Sequence, residues 1–341
     1  MLHRVQQWGG AALLAALLVL QGAAWVPAAE VNIYSYRQPF LIEPILEAFT
    51  KETGIKVNTV FAKEGLIERL KAEGRNSPAD VLLTASVGRL DDAVEAGVLQ
   101  AVRTPTLERN IPAAFRHPEG LWYGLTMRAR VIYASKERVP RGAINTYEDL
   151  ADPRWKGRIC TRPSHHPYNV ALLASLIVHH GVEQAEDWAR KVANNLARKP
   201  QGNDRGQVRA ISEGICDLSL GNSYYMGAML NDPDQVGWAK AVYMIFPNQD
   251  GRGTHMNISG AGVTRATKHK AEAVRLLEYL SSAEAQSMYA QGNYEYPVKP
   301  DAKWSPLVES WGRFKPDDVD LTKVAKLRAE AVRVFDRAGY P

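Results

Sequence analysis

Apolar residues recur along the chain at two spacings, and each spacing predicts one type of secondary structure. Strands are predicted in three runs: 31–35, which is typical of a buried strand, 55–61, where apolar and polar residues alternate, and 78–85. Between the first two runs, the apolar residues of 41–51 recur every three to four positions and therefore share one helical face. A second helix is predicted at 65–73. Strands and helices in regular turn are typical of an α/β unit with a parallel sheet and helices on both faces.

The same alternation restarts later and predicts a second α/β unit of similar size. Its predicted strands are 157–161 and 215–220. Its predicted helices are 170–180, a helix that stops at Pro200, and a helix that ends near 213. Farther along the chain, helices are predicted at 268–280 and 321–337.

Two long extended segments, 123–134 before the second unit and 254–263 after it, are predicted to join the two α/β units. We expect them to be crossover strands that form a hinge. Ligands of open α/β sheets bind outside the carboxyl ends of the strands. Two such units facing each other would therefore form a cleft at those ends.

The first 29 residues have the layout of a secretory signal peptide. His3 and Arg4 precede an apolar run at 11–20, and small residues follow up to Ala28 and Ala29. The apolar run is about half of the roughly twenty residues that a membrane-spanning helix needs. We therefore expect a cleaved signal peptide at 1–29 and a freely diffusing protein in the periplasm.

Composition and charge narrow the possible functions. The net charge is +5, but basic and acidic residues are interleaved along the whole chain. Nucleic-acid binding would favour a basic stripe, so we expect no nucleic-acid partner. The two cysteines, Cys160 and Cys216, predict one disulfide in an exported protein, with two buried free thiols as the alternative.

Three predicted strand-end loops contain tyrosines: Tyr34-Ser-Tyr-Arg-Gln38, His165-His-Pro-Tyr168 and Asn222-Ser-Tyr-Tyr225. The pair Tyr224 and Tyr225 can point to one site only if the chain begins to turn there. Taken alone, this pattern is weak, because paired tyrosines more often pack in cores or lie on surfaces. The chain lacks the nucleophile elbow, the phosphate loop and the zinc-protease motif of common enzymes, so we expect a non-enzyme.

Motifs along the whole mature chain resemble those of periplasmic ferric-iron-binding proteins of the bacterial transferrin type. They include Val31-Asn-Ile-Tyr-Ser-Tyr-Arg-Gln38, Ser77-Pro-Ala-Asp-Val-Leu-Leu-Thr84, Pro200-Gln-Gly-Asn-Asp-Arg205, Gly221-Asn-Ser-Tyr-Tyr-Met-Gly227 and Asn293-Tyr-Glu-Tyr-Pro297. The resemblance implies a type II periplasmic binding protein of two lobes, each a central sheet flanked by helices, joined by crossover hinge strands. We expect an N-terminal lobe of 30–127 plus 256–300 and a C-terminal lobe of 128–255 plus 301–341.

The same resemblance implies a site in which Tyr168, Tyr224 and Tyr225 hold ferric iron, with Tyr36 as a possible fourth ligand. Charged oxygen donors suit a hard cation such as Fe³⁺. Relatives that use a histidine from the first lobe differ from this chain, whose matching loop has none. Three phenolates neutralise the ferric ion, so a carbonate or bicarbonate anion needs its own cationic partners. The candidates for that anion site are Arg37, Gln38 and Arg128.

The resemblance further implies a monomer that delivers iron to an inner-membrane ABC permease. Two alternatives stay open at this point. The first keeps the fold but changes the cargo to an oxyanion, a polyamine or thiamine. The second is a hydrolase or transferase built on a related two-lobed scaffold.

Overall fold

The structure is a computed structural model that describes residues 29–341. The predicted signal peptide, apart from Ala29, lies outside the described residues. The strands are β1 (Glu30–Ser35), β2 (Lys56–Phe61), β3 (Val81–Thr84), β4 (Tyr123–Ser135), β5 (Ile159–Cys160), β6 (Leu218–Asn222), β7 (Val242–Ile245), β8 (Met256–Val263) and β9 (Tyr296–Pro297).

Helices and short 3₁₀ turns connect these strands. The helices are α1 (Pro39–Thr53), α2 (Leu66–Glu73), α3 (Val87–Glu95), α4 (Pro105–Asn110), α5 (Pro167–Asn194), α6 (Asp204–Ser212), α7 (Tyr224–Leu230), α8 (Val236–Lys240), α9 (Lys270–Leu280), α10 (Ala283–Gly292), α11 (Pro306–Ser310), α12 (Leu321–Lys326) and α13 (Arg328–Arg337). Among the helices of 29–341, none combines the length and apolar character of a membrane span.

The first half is organised around strands β2, β1 and β3, which are parallel to one another. Strand β8 joins β3 in the antiparallel direction. Helix α1 packs on this sheet because its apolar positions, such as Ile42 and Phe49, share the face that is buried. The helix ends at Gly54, whose φ of 73° is a left-handed conformation that glycine adopts at low cost.

Strand β4 connects the two halves. Its first part, up to Ala129, pairs with β8, and from Arg130 onward it pairs with β6. Strand β5 lies parallel to β6, and β7 pairs with the end of β4. The longest helix, α5, covers this second half, and Gly181 breaks its helical backbone with a φ of 79°. The predicted extended segment at 123–134 is therefore a single strand shared by both halves.

A disulfide links Cys160 in β5 to Cys216, which lies just before β6; the S–S distance is 2.12 Å. Because β5 and β6 are neighbours, the disulfide links adjacent strands of the second half. It closes a chain segment with a sequence separation of 56 residues.

Three predictions about the fold were wrong in detail. The strands predicted within each α/β unit are parallel, as expected, but the sheet as a whole is mixed, because β8, β4 and β7 run antiparallel to their partners. The strand predicted from residue 215 begins only at Leu218. The single helix predicted at 321–337 is two helices divided at Leu327, because α12 packs on α3 as well as α5, whereas α13 packs on α5. The lobe boundaries stay a prediction.

Candidate metal-binding site

A cavity of about 750 Å³ opens between the two halves. Its walls come from the loop after β1, the end of β3, the middle of β4, strand β8, the first turns of α5, α6 and α7, and the segment 292–295. Several of these segments follow the carboxyl ends of strands, where ligands of α/β sheets bind. The cavity therefore lies where the sequence predicted a cleft.

Tyr168 reaches the cavity from the first turn of α5. Pro167 occupies the start of the helix, where its missing N–H costs nothing. The Nδ1 atom of His166 accepts the backbone N–H of Tyr168 at 3.2 Å, and the two rings pack edge to face at 4.6 Å. Burial, with the nearby charge of Arg162, lowers the pKa of His166 to about 4. His166 is therefore a neutral N-cap of α5, and its hydrogen bond and ring contact position Tyr168.

Tyr224 and Tyr225 lie at the start of α7, directly after β6 ends at Asn222. The register of β6 against β4 fixes this turn, because Ser223 donates its backbone N–H to Ala129 at 2.9 Å. The chain turns into a helix at Tyr224, and the rings of the pair approach to 4.3 Å. The chain thus turns at Tyr224 and Tyr225, as is required if the two side chains are to face one site.

Tyr168 joins this pair to form a cluster, here called the tyrosine cluster: Tyr168, Tyr224 and Tyr225. The hydroxyl oxygens of Tyr168 and Tyr224 are 3.3 Å apart. Burial, followed by the negative charge that Tyr168 and Tyr225 would carry, raises the pKa of Tyr224 well above 10. Burial and the charge of Tyr168 raise the pKa of Tyr225 to about 12. A cation at this point would favour all three phenolates together.

Two arginines lie against the ring of Tyr168, at 5.6 Å for Arg130 and 5.4 Å for Arg162. Both pair with the fully buried carboxylate of Asp204. Asn203 caps the helix that begins at Asp204 by accepting the N–H of Gly206 at 2.9 Å. These ion pairs hold the guanidinium groups of Arg130 and Arg162 beside the ring of Tyr168.

The predicted anion residues line another wall of the same cavity. Arg37 and Arg128 are both 3% exposed, and both donate to the hydroxyl of Ser259, at 2.8 and 2.9 Å. Arg37 forms a bidentate ion pair with Glu295, and Arg128 approaches Glu295 at 3.9 Å. Gln38 lines this wall as well. The structure thus brings the three predicted residues to one wall, although Glu295 already binds both arginines.

Tyr36 also lines the cavity, but its hydroxyl has a different partner. It accepts the backbone N–H of Ile67 at 3.0 Å. The guanidinium of Arg89 lies 4.1 Å from the centre of its ring. The Tyr36 hydroxyl is thus hydrogen-bonded to the backbone of α2, and its role as a fourth iron ligand stays a prediction.

Sequence reasoning missed two site residues, Tyr294 and Glu295. Tyr294 has a φ of 56°, and its ring lies so close to Gly227 that a Cβ there would be 2.3 Å from the ring. Both lie in the motif Asn293-Tyr-Glu-Tyr-Pro297. A lone carboxylate between two tyrosines was the available signal, since a buried carboxylate needs a cationic partner.

Residues 76–321 match the family described as bacterial extracellular solute-binding protein. The chain is 46% identical to iron uptake protein A1 of Synechocystis over 314 residues, which are 91% of this chain and 87% of the relative.

Two solved structures are similar to this chain in both sequence and fold. The apo ferric ion-binding protein A of Pasteurella haemolytica is 50% identical, with a TM-score of 0.86 over 92% of this chain and 98% of that chain. A Trichodesmium protein in complex with iron and citrate is 45% identical, with a TM-score of 0.88 over 92% of this chain and 100% of that chain. These likenesses confirm the predicted two-lobed fold class.

Proposed function

Since the chain belongs to the bacterial extracellular solute-binding proteins and, among them, to the periplasmic ferric-iron-binding proteins, we propose that it captures ferric iron with a carbonate-type anion and delivers it to an ABC importer. In this proposal the tyrosine cluster holds the metal. Arg37, Gln38 and Arg128 hold the anion. The ferric ion is the cargo, and no chemical step is required of the protein.

The observation that carries the proposal is the approach of the Tyr168 and Tyr224 hydroxyls to 3.3 Å, with Tyr225 packed against Tyr224. Phenolates are charged oxygen donors, which suit a hard trivalent cation. Three phenolates cancel the charge of Fe³⁺, so the metal can bind in a partly buried cavity without leaving a net charge. Within residues 29–341, no three His, Cys, Asp or Glu side chains are grouped to hold a metal ion.

A small anion would complete the coordination from the opposite wall. Arg37 and Arg128 present guanidinium groups there, and guanidinium matches the planar shape of carbonate or bicarbonate. The family description, bacterial extracellular solute-binding protein, supports the proposed delivery to a permease. An iron uptake protein and a ferric ion-binding protein among the relatives support a binding role over an enzymatic one.

Titration of the iron-free, anion-stripped protein with ferric chloride, with and without bicarbonate, tests this function. Phenolate bound to ferric ion absorbs visible light, so we expect a coloured protein at one iron per chain and a stronger band with bicarbonate. A protein of this fold whose cargo is thiamine, a polyamine or an oxyanion would stay colourless.

The matched test is the double variant Tyr224→Phe/Tyr225→Phe. It should lose the visible band and bind iron far more weakly while keeping its circular dichroism spectrum. A double variant that keeps both colour and affinity would refute the assignment of the tyrosines.

A further inference from the structure

Glu295 is a buried carboxylate in the wall of the metal cavity, with 5% of its surface exposed. One of its oxygens accepts from Nη1 of Arg37 at 3.3 Å and lies 3.9 Å from Nη1 of Arg128. The other oxygen accepts a short hydrogen bond from Nη2 of Arg37. The carboxylate therefore neutralises part of the positive charge that the two arginines present to a bound anion.

The charges of this group can be counted. Two guanidinium groups carry +2 and the carboxylate carries −1, so the group of Arg37, Arg128 and Glu295 carries +1. Ferric iron with three phenolates is neutral. An anion between the neutral iron site and this group of charge +1 is balanced best when it carries a single negative charge, because uncompensated charge in a buried site is costly.

We propose that Glu295 sets the charge of the anion that completes the iron site, so that the wild-type site favours a monoanion, such as bicarbonate, over a dianion. This inference rests on the proposed ferric function. Glu295 is a specificity-determining residue in this account. It acts by cancelling one arginine charge and does not coordinate the metal.

Other charges near the cavity do not alter the comparison between variants. Lys63, Arg89 and Arg205 line the cavity and form no ion pair within the described part of the chain, 29–341. They are exposed or half-buried, so water and salt screen them. The ion pairs of Asp204 with Arg130 and Arg162 lie behind Tyr168. All of these groups stay the same when Glu295 is replaced.

Replacing Glu295 with glutamine keeps its size and one hydrogen-bond acceptor but removes its charge. The group then carries +2, and a dianion gains one additional favourable unit interaction relative to a monoanion. A unit charge at about 5 Å and an effective dielectric constant of about 20 changes binding roughly a hundredfold. With screening in an open cleft, we expect Glu295→Gln to shift the preference between dianion and monoanion by about tenfold or more.

The experiment compares formate with sulfate, because each keeps one charge state near neutral pH. The anion-stripped protein is loaded with ferric chloride in each anion, and the anion concentration for half-maximal visible absorbance is measured. We expect the sulfate-to-formate preference of Glu295→Gln to rise about tenfold or more over wild type. Glu295→Asp, which keeps the charge, should stay near the wild-type ratio.

Glu43→Gln is the matched control. Glu43 is exposed on α1 and forms no ion pair within the described residues, so its loss changes the net charge of the protein without changing the charge of the anion site. A Glu295→Gln ratio that moves no further than the Glu43→Gln ratio would overturn the proposal.

If Glu295→Gln does not fold by circular dichroism, Arg128→Gln provides the second test. It removes one positive charge from the same group and should shift the ratio toward formate, and an unchanged ratio would overturn the proposal. A wild-type protein without a visible band in any anion would instead refute the ferric site itself.

Discussion

Lowering the pH should weaken ferric binding steeply, because protons compete with the metal for the phenol oxygens. A free phenol has a pKa near 10, and burial raises the pKa of Tyr225 to about 12 and that of Tyr224 well above 10. The raised values favour the neutral phenols of Tyr224 and Tyr225 in the iron-free protein. Each tyrosine that binds iron must then release one proton.

The size of the effect follows from that count. Each released proton makes the apparent association constant fall about tenfold per unit decrease in pH, so three phenols give about a thousandfold, or about 4 kcal/mol, per unit between about pH 5 and 8. Because burial raises the pKa values of Tyr224 and Tyr225, the effect of these two phenols does not level off until well above that range. Burial thus widens the pH range over which iron affinity depends on pH, and it leaves the change in affinity per pH unit the same.

Proton release on iron binding measures this count directly. Iron is added from a chelate of known proton balance to weakly buffered protein, and the protons released per iron are titrated. Tyr225→Phe should release about one proton fewer. Tyr279→Phe is the matched control, because burial also raises the pKa of Tyr279 to about 12 but its ring packs on Phe49, outside the lining of the cavity. A release of one proton or less, or equal release by the Tyr225 and Tyr279 variants, would refute the reasoning.

Two other predictions concern packing and stability. Gly227→Ala places a Cβ 2.3 Å from the Tyr294 ring, so it should cost about 1–3 kcal/mol of stability and weaken iron binding by shifting α7. Gly237→Ala is the control, because its Cβ would meet open space, and it should have neither effect. Thermal melts and iron titrations measure the two effects. Equal effects of the two substitutions would contradict the packing argument. Cys160→Ser/Cys216→Ser should lose up to about 4 kcal/mol in urea unfolding, because the disulfide closes a 56-residue separation, and reductant should then have no further effect. A double variant as stable as the oxidised wild type would contradict this expectation.

Much of the fold could be predicted because apolar spacing records which residues are buried. Strand β1 and helix α1 have strong periodicity, and the long extended segment became β4. The parallel direction of β1, β2 and β3 and of β5 and β6 followed from the alternation of strands and helices. The antiparallel pairings of β4, β7 and β8 could not be predicted, because the pattern of an extended segment is compatible with either direction. The division at Leu327 was missed because it depends on which neighbours α12 and α13 contact, and local spacing does not record those contacts.

The candidate site depended less on spacing and more on resemblance. Consecutive tyrosines such as Tyr224 and Tyr225 are ambiguous until the start of α7 is known. Tyr168 is 56 positions from Tyr224, so no local pattern could place their hydroxyls together. Glu295 escaped notice because its role comes from pairing with Arg37, which is 258 positions away. Contacts of this kind become visible only when the chain is folded.

The central claim is that the oxygens of Tyr168, Tyr224 and Tyr225 bind a single ferric ion in the cavity between the halves. Anomalous diffraction at the iron edge from crystals of the iron-loaded protein tests it most directly. The account predicts one anomalous peak within bonding distance of all three phenol oxygens. A peak at another site, or iron that contacts none of these tyrosines, would contradict it.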